Sequence, residues 1–137
     1  MMMPESSSRV LIVEDDRDFA ESLVIALGTR KCQVDIAGSG EEAVRKFRHN
    51  RYDIAFMDVK LPGMNGVQSL AEILLVVPDA RVVMMTGFSE QSLLDQALRT
   101  GAVAVLLKPF RMRELLAFID QLQDRPGASP PGAATTH

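Results

Sequence analysis

Apolar residues in this chain gather into short runs separated by stretches in which they recur at helical spacing. The runs predict strands at Arg9–Val13, Gln33–Ala37, Ile54–Met57, Arg81–Met85 and Val103–Leu107. All but the second are nearly continuous, as strands covered on both faces of a sheet are. Between them, helical stripes are formed by Phe19, Leu23, Ala26 and Leu27, by Ala43 and Phe47, and by Val67, Leu70, Ile73 and Leu74. Two more follow, Leu94, Ala97 and Leu98, then Leu115, Phe118, Ile119 and Leu122. Strand–helix alternation of this kind predicts βαβ units and a parallel sheet. Ser39 with Glu42 has the form of a capping box, Asn65 and Ser89 suit helix N-caps, and Gly28 and Gly101 suit helix stops.

The strand ends carry the polar chemistry. Glu14 and Asp15 follow the first run, Asp58 the third, Thr86 the fourth and Lys108 the fifth. Parallel strands bring their carboxyl ends to one edge of a sheet, where ligands of open α/β folds bind. Two carboxylates about 5 Å apart repel by roughly 3 kcal/mol at an effective dielectric of about 20. Lys108 offsets one of three charges, and a hard dication accepts oxygen ligands such as Asp15, Asp58 and a backbone carbonyl. Mg²⁺ suits the set because it keeps waters and phosphate oxygens in its shell. Asp58 is then the available nucleophile towards phosphorus, with Lys108 and Thr86 placed to meet phosphoryl oxygens. Taken one at a time, such residues are more often helix caps, strand residues or solvated charges. Their joint placement on four strand ends favours function.

Composition narrows the setting. The 137 residues, 47% hydrophobic and 24% charged, suffice for one domain with a core. A net charge of −3 argues against a general nucleic-acid surface. The lone Cys32 forms no internal disulfide and fits a reducing, cytoplasmic location. The first eight residues lack a basic and an apolar signal region, and no run reaches the length of a membrane span, so neither signal nor anchor is expected. One folded domain is expected over residues 9–123, a flexible segment at 1–8, and a Pro- and Gly-rich tail or linker stub at 124–137. His49 and His137 have no metal-ligand partner at useful spacing.

These residues resemble the receiver domain of two-component response regulators. The resemblance runs from about Arg9 to Gln123 and rests on Glu14-Asp15-Asp16, on Met57-Asp58-Val-Lys-Leu-Pro-Gly-Met-Asn-Gly66, on Met85-Thr86-Gly87 and on Lys108-Pro109-Phe110. It implies a flavodoxin-like, doubly wound fold, with a five-stranded parallel sheet in order 2-1-3-4-5 and five flanking helices. It implies that Asp58 accepts a phosphoryl group from a sensor histidine kinase or phosphotransfer protein, with Thr86 and Lys108 assisting. Mg²⁺ would be held by Asp15, Asp58 and the backbone carbonyl of Lys60, with Glu14 acting through water. Asp16 is left outside the metal shell. A cis Lys108-Pro109 peptide is also implied.

The resulting expectation is a cytoplasmic signalling switch that catalyses only its own phosphorylation and dephosphorylation. It would be monomeric or weakly dimeric until phosphorylated, with homodimerisation open to the face of helix 4, strand 5 and helix 5. No direct nucleic-acid or membrane contact is expected of this domain. Val105 departs from the family, where many members carry Tyr or Phe three residues before the lysine. A valine has too little reach to report a movement of Thr86 as a ring would. Lys60 and Phe88 are expected to tune phosphoryl lifetime, with Phe88 as a shield against water.

Two other motifs compete. Gly38-Ser-Gly40-Glu-Glu-Ala43 has the letters of a dinucleotide fingerprint, but Glu41 and Glu42 occupy the helix start where a pyrophosphate would sit. Asp16-Arg-Asp18 has the letters of a haloacid dehalogenase-type phosphatase, but it begins three residues beyond Val13 within the predicted first helix. A degenerate receiver acting as a binding scaffold is the third alternative, and intact Asp58, Thr86 and Lys108 weigh against it.

Overall fold

The computed structural model describes residues 7–87 and 91–124. The expectations for Ser89 as a cap, for Phe88 as a shield and for His137 fall outside them. Ten elements alternate along the chain: β1 (Arg9–Val13), α1 (Arg17–Gly28), β2 (Gln33–Ala37), α2 (Gly40–His49), β3 (Ile54–Asp58), α3 (Gly66–Val76), β4 (Val82–Thr86), α4 (Gln91–Thr100), β5 (Ala104–Leu107) and α5 (Met112–Asp124). The strands form one parallel sheet in the order β2-β1-β3-β4-β5.

Period-two alternation divides the core between the two faces of the sheet. Leu11, Ala55, Met57, Val82 and Met84 pack with Ala43, Phe47, Leu70, Ile73 and Ala97 of α2, α3 and α4. Val10, Ile12, Ile54, Phe56, Val83 and Met85 pack with Ala20, Leu23, Leu27, Leu115 and Ile119 of α1 and α5. Each fully buried Leu or Ile stabilises the fold by about 1.5–3 kcal/mol relative to exposure. Arg30, in the turn after α1, and Asp120 of α5 add a two-pronged ion pair on that second face, at 2.6 and 3.2 Å.

Helix starts follow the expected chemistry with one change. Asp16 caps α1 by accepting from Phe19 N–H, and Asn65 and Gln68 form a reciprocal capping box at α3. At α2, Ser39 accepts from Glu42 N–H, but the Glu42 carboxylate takes the N–H of Gly38 instead of closing the box on Ser39.

Several boundaries move: β3 runs on to include Asp58, and β5 starts at Ala104 instead of Val103. The fourth strand starts and ends one residue later and so includes Thr86, because Thr86 C=O still accepts from Lys108 N–H in the ladder. Gly28 is the last residue of α1 rather than a stop beyond it, and the chain turns at Lys31, with φ of 61°. Gly101 does follow α4, at φ of 133°. The apolar run of β5 also differs from expectation. It is an edge strand, with Leu106 buried but Val105 only half-buried and Leu107 40% exposed.

Candidate functional site

β1 lies between β2 and β3, so the chain leaving β1 turns to one face of the sheet and the chain leaving β3 to the other. The crevice between them is the switch point of the sheet. Period two places the chemistry there. Ile12, Phe56 and Leu106 face α1 and α5, and two residues further along each chain come Glu14, Asp58 and Lys108. Met84 faces the opposite side, and two residues on is Thr86.

The three same-face residues meet. Lys108 Nζ lies 2.9 Å from Asp58 Oδ2 and 3.3 Å from Glu14 Oε1. The second Asp58 oxygen accepts from Lys60 N–H at 2.9 Å, and the second Glu14 oxygen from Asp16 N–H at 3.1 Å. Glu14 is 3% exposed and Asp58 9%. Carboxylate oxygens of Glu14, Asp15 and Asp58 lie within 4.8 Å of one another. Asp15 is exposed, and no hydrogen bond or ion pair engages its carboxylate among the described residues.

The electrostatics follow from this crowding. Burial pushes the Glu14 carboxyl up to about 7; the Asp16 N–H and Lys108 pull it down, while neighbouring Asp58 pushes it further up. Burial works against the charged Lys108 ammonium, but hydrogen bonding and charge from Asp58, then Glu14, outweigh it and raise its pKa. With all three carboxylates ionised, the Lys108 ammonium offsets one of their three charges.

These clustered hard oxygens fit a small divalent cation. Oxygen ligands of Mg²⁺ sit about 2.0–2.1 Å from the ion, so the clustered carboxylates reach a common ion with modest side-chain adjustment or through water. Asp16 lies outside that cluster, and its Oδ1 caps α1 by accepting from Phe19 N–H at 3.1 Å. Asp16 and Asp18 thus belong to the start of α1, which removes the phosphatase motif.

Thr86 is buried at the end of β4, and its hydroxyl donates to Gly87 C=O at 3.2 Å instead of to Asp58. The Lys108-Pro109 peptide is cis. The dinucleotide motif has another explanation: a Cβ on Gly40 would collide with the Ser69 hydroxyl of α3, and Gly38 N–H is taken by Glu42.

Two contributors were not singled out from the sequence. Gly66 begins α3 so close to β3 that a Cβ there would lie 2.6 Å from Asp58 O and 2.8 Å from Val59 Cα. The Asn-Gly pair marks a turn in the sequence, but the close approach is long-range information. Phe19 lies beneath the Lys108 ammonium, 4.6 Å from ring centroid to Nζ, although its spacing reads as one more apolar residue of a helix stripe.

Fold and pocket together define a doubly wound α/β domain with an acidic, lysine-bridged crevice at its switch point. A family model described as the response regulator receiver domain matches residues 10–120, and the chain belongs to that family. Over 122 residues it is 36% identical to regulatory protein VanRB of Enterococcus faecalis, covering 89% of this chain and 55% of that protein. Over 117 residues it is 31% identical to chemotaxis protein CheY of Thermotoga maritima, covering 83% and 96%. The chain thus spans about half the length of VanRB but nearly all of CheY.

Among solved structures, a CheY-like receiver domain protein from Methanospirillum hungatei matches with a TM-score of 0.80 at 30% identity, covering 86% of this chain and 94% of that one. The receiver domain of sensor histidine kinase PA1611 from Pseudomonas aeruginosa, which has a magnesium ion coordinated in its active-site cleft, matches with a TM-score of 0.79 at 25% identity, covering 87% and 99%. Residues 10–120 are therefore a receiver domain of the two-component type, a phosphoacceptor signalling domain. Among the described residues no helix is long and apolar enough to cross a membrane.

Proposed function

We propose that Asp58 is the phosphoacceptor of this switch, and that the folded unit spans residues 9–123 and works in the cytoplasm. The observation that carries the reading is the double anchoring of Asp58, by Lys60 N–H and Lys108, inside the Glu14–Asp15–Asp58 cluster. Mg²⁺ would be held by Asp15, Asp58 and the Lys60 carbonyl, with Glu14 reached through water. The commitments of Glu14 to Asp16 N–H and Lys108 support its outer place, and the uncommitted Asp15 carboxylate supports a direct one. When bound, the ion supplies charge screening between an anionic acceptor and an anionic donor.

An Asp58 oxygen forms the new bond to phosphorus as the phosphorus–nitrogen bond of a phosphohistidine on the sensor kinase or phosphotransfer protein breaks. With its second ring nitrogen already protonated, the imidazole takes the electron pair of the broken bond and leaves as a neutral ring. Lys108 exchanges its Asp58 contact for a phosphoryl oxygen, and the Thr86 hydroxyl turns from Gly87 C=O to another. Attack by water on phosphorus later releases inorganic phosphate and restores the carboxylate. The signal is read at the α4/β5/α5 face, by an output domain or a partner protein, a second copy of the chain among them. Exposure of Leu98 and Leu107 on that face supports this reading.

Beryllofluoride with Mg²⁺ tests the proposal by NMR or thermal melting, and acetyl phosphate tests it by mass. Wild type is expected to respond only when Mg²⁺ is present and to gain one phosphoryl group, and Asp58→Asn to do neither. No Mg²⁺-dependent response in wild type, or an undiminished one in Asp58→Asn, would overturn it.

A further inference from the structure

Lys108 has three contacts of different kinds around its ammonium: Asp58 Oδ2 at 2.9 Å, Glu14 Oε1 at 3.3 Å and the Phe19 ring, whose centroid is 4.6 Å away. A lysine carries three N–H donors on a flexible four-carbon stem. Two carboxylates and one aromatic ring account for three directions.

Phe19 is itself held twice. Its backbone N–H donates to Asp16, the cap of α1, at 3.1 Å, and its ring meets Phe110 edge-on, with centroids 6.0 Å apart and planes at 66°. Phe110 lies two residues after Lys108, so one short segment carries both the ammonium and the ring that steadies its aromatic partner. Lys108, Phe19 and Phe110 thus form a closed triangle between α1 and the end of β5.

We propose that Phe19 is a positioning residue for Lys108, holding the ammonium over the acceptor pocket while its anionic partners change. The proposal rests on the phosphoacceptor reading of Asp58. A ring face attracts a cation but offers no lone pair. It therefore does not compete with a phosphoryl oxygen for an N–H, whereas a carboxylate in its place would. Phe19 touches neither Asp58 nor the phosphoryl group in this scheme. It acts by narrowing the positions open to a long side chain.

The first test needs no substitution. The ε-CH₂ protons of Lys108 in the wild-type chain are expected upfield of ordinary lysine values from the ring current of Phe19, with and without Mg²⁺ and beryllofluoride. The upfield displacement should vanish in Phe19→Leu and persist in Phe19→Tyr.

The second test is the phosphorylation rate with acetyl phosphate at saturating Mg²⁺. Phe19→Leu should be slower by about two- to fivefold, the factor matching a cation–π contact at a part-exposed site. Phe19→Tyr should recover the rate, and Mg²⁺ affinity should be unchanged in both. A merely structural role would lower the melting temperature of Phe19→Leu and leave its rate as in wild type.

Ordinary Lys108 shifts in wild type, or a wild-type rate in Phe19→Leu, would overturn the proposal. If wild type takes up no phosphoryl group, the phosphoacceptor reading fails, and the NMR measurement alone decides whether the ring holds the lysine.

Discussion

Lys108 and Glu14, 94 residues apart in the chain, meet at 3.3 Å inside the pocket, and the same ammonium reaches Asp58. One cation thereby separates two buried carboxylates. Lys108→Met should leave Glu14 and Asp58 without their counter-charge, an unfavourable state for buried ions. Because Lys108 is partly exposed, the expected loss of stability without Mg²⁺ is about 1–3 kcal/mol at pH 8. Added Mg²⁺ should raise the melting temperature of this variant more than that of wild type. Melting curves with EDTA and with Mg²⁺ measure both effects.

Glu14 gives the metal-free protein a pH dependence of definite sign. Its carboxyl is raised from 4.5 to about 7 in the fold, chiefly by burial. Between those values the native state binds the proton and the unfolded chain does not, so this group makes stability fall as pH rises from 4.5 to 7. Glu14→Gln should flatten that part of the profile in EDTA. Mg²⁺ binding, which favours the ionised carboxylate, should release protons near pH 7 and weaken as pH falls. Calorimetry in buffers of different ionisation enthalpy measures the released protons.

Gly40 and Ser69 couple α2 to α3 by direct contact. Gly40→Ala would drive a methyl group into the Ser69 hydroxyl and to 3.0 Å from Met64 O. Overpacking of this kind costs about 1–3 kcal/mol. Ser69→Ala removes the nearest clashing atom but leaves the Ser69 Cβ at 3.0 Å. The double variant should therefore regain part of the loss, seen as a positive coupling in urea denaturation.

Val105 pairs with Met84 in the sheet, two residues before Thr86 and on the same face. Val105→Tyr would supply a ring long enough to follow a rearrangement of Thr86. Beryllofluoride with Mg²⁺ should then produce larger amide shift changes along β5 and α4 in this variant than in wild type. Equal changes would mean that the signal reaches this face without a residue of that length.

Glu14, Asp58 and Lys108 were legible in the sequence because strands end where apolar runs end, and a parallel sheet lines those ends up. The order of elements followed from the same alternation. Phe19 was not legible, because a residue that packs on a helix stripe and one that meets an ammonium have the same spacing. Nor was the open face of β5, since Val103–Leu107 has the composition of a central strand and only the sheet order places it at an edge. The purpose of Gly40 was hidden for a related reason. Its neighbour Ser69 belongs to a helix 29 positions later.

The segment after Asp58 closes on itself, as Gly66 N–H donates to Val59 C=O at 2.8 Å. Its ends are thus tied to each other, and the absent Gly66 side chain lets α3 start directly against the end of β3. A longer loop costs little closure entropy, but an inserted residue would have to bulge outward for Gly66 to keep its close approach to Asp58 O and Val59 Cα. The place where α3 starts is therefore as much a property of the acidic pocket as the carboxylates themselves.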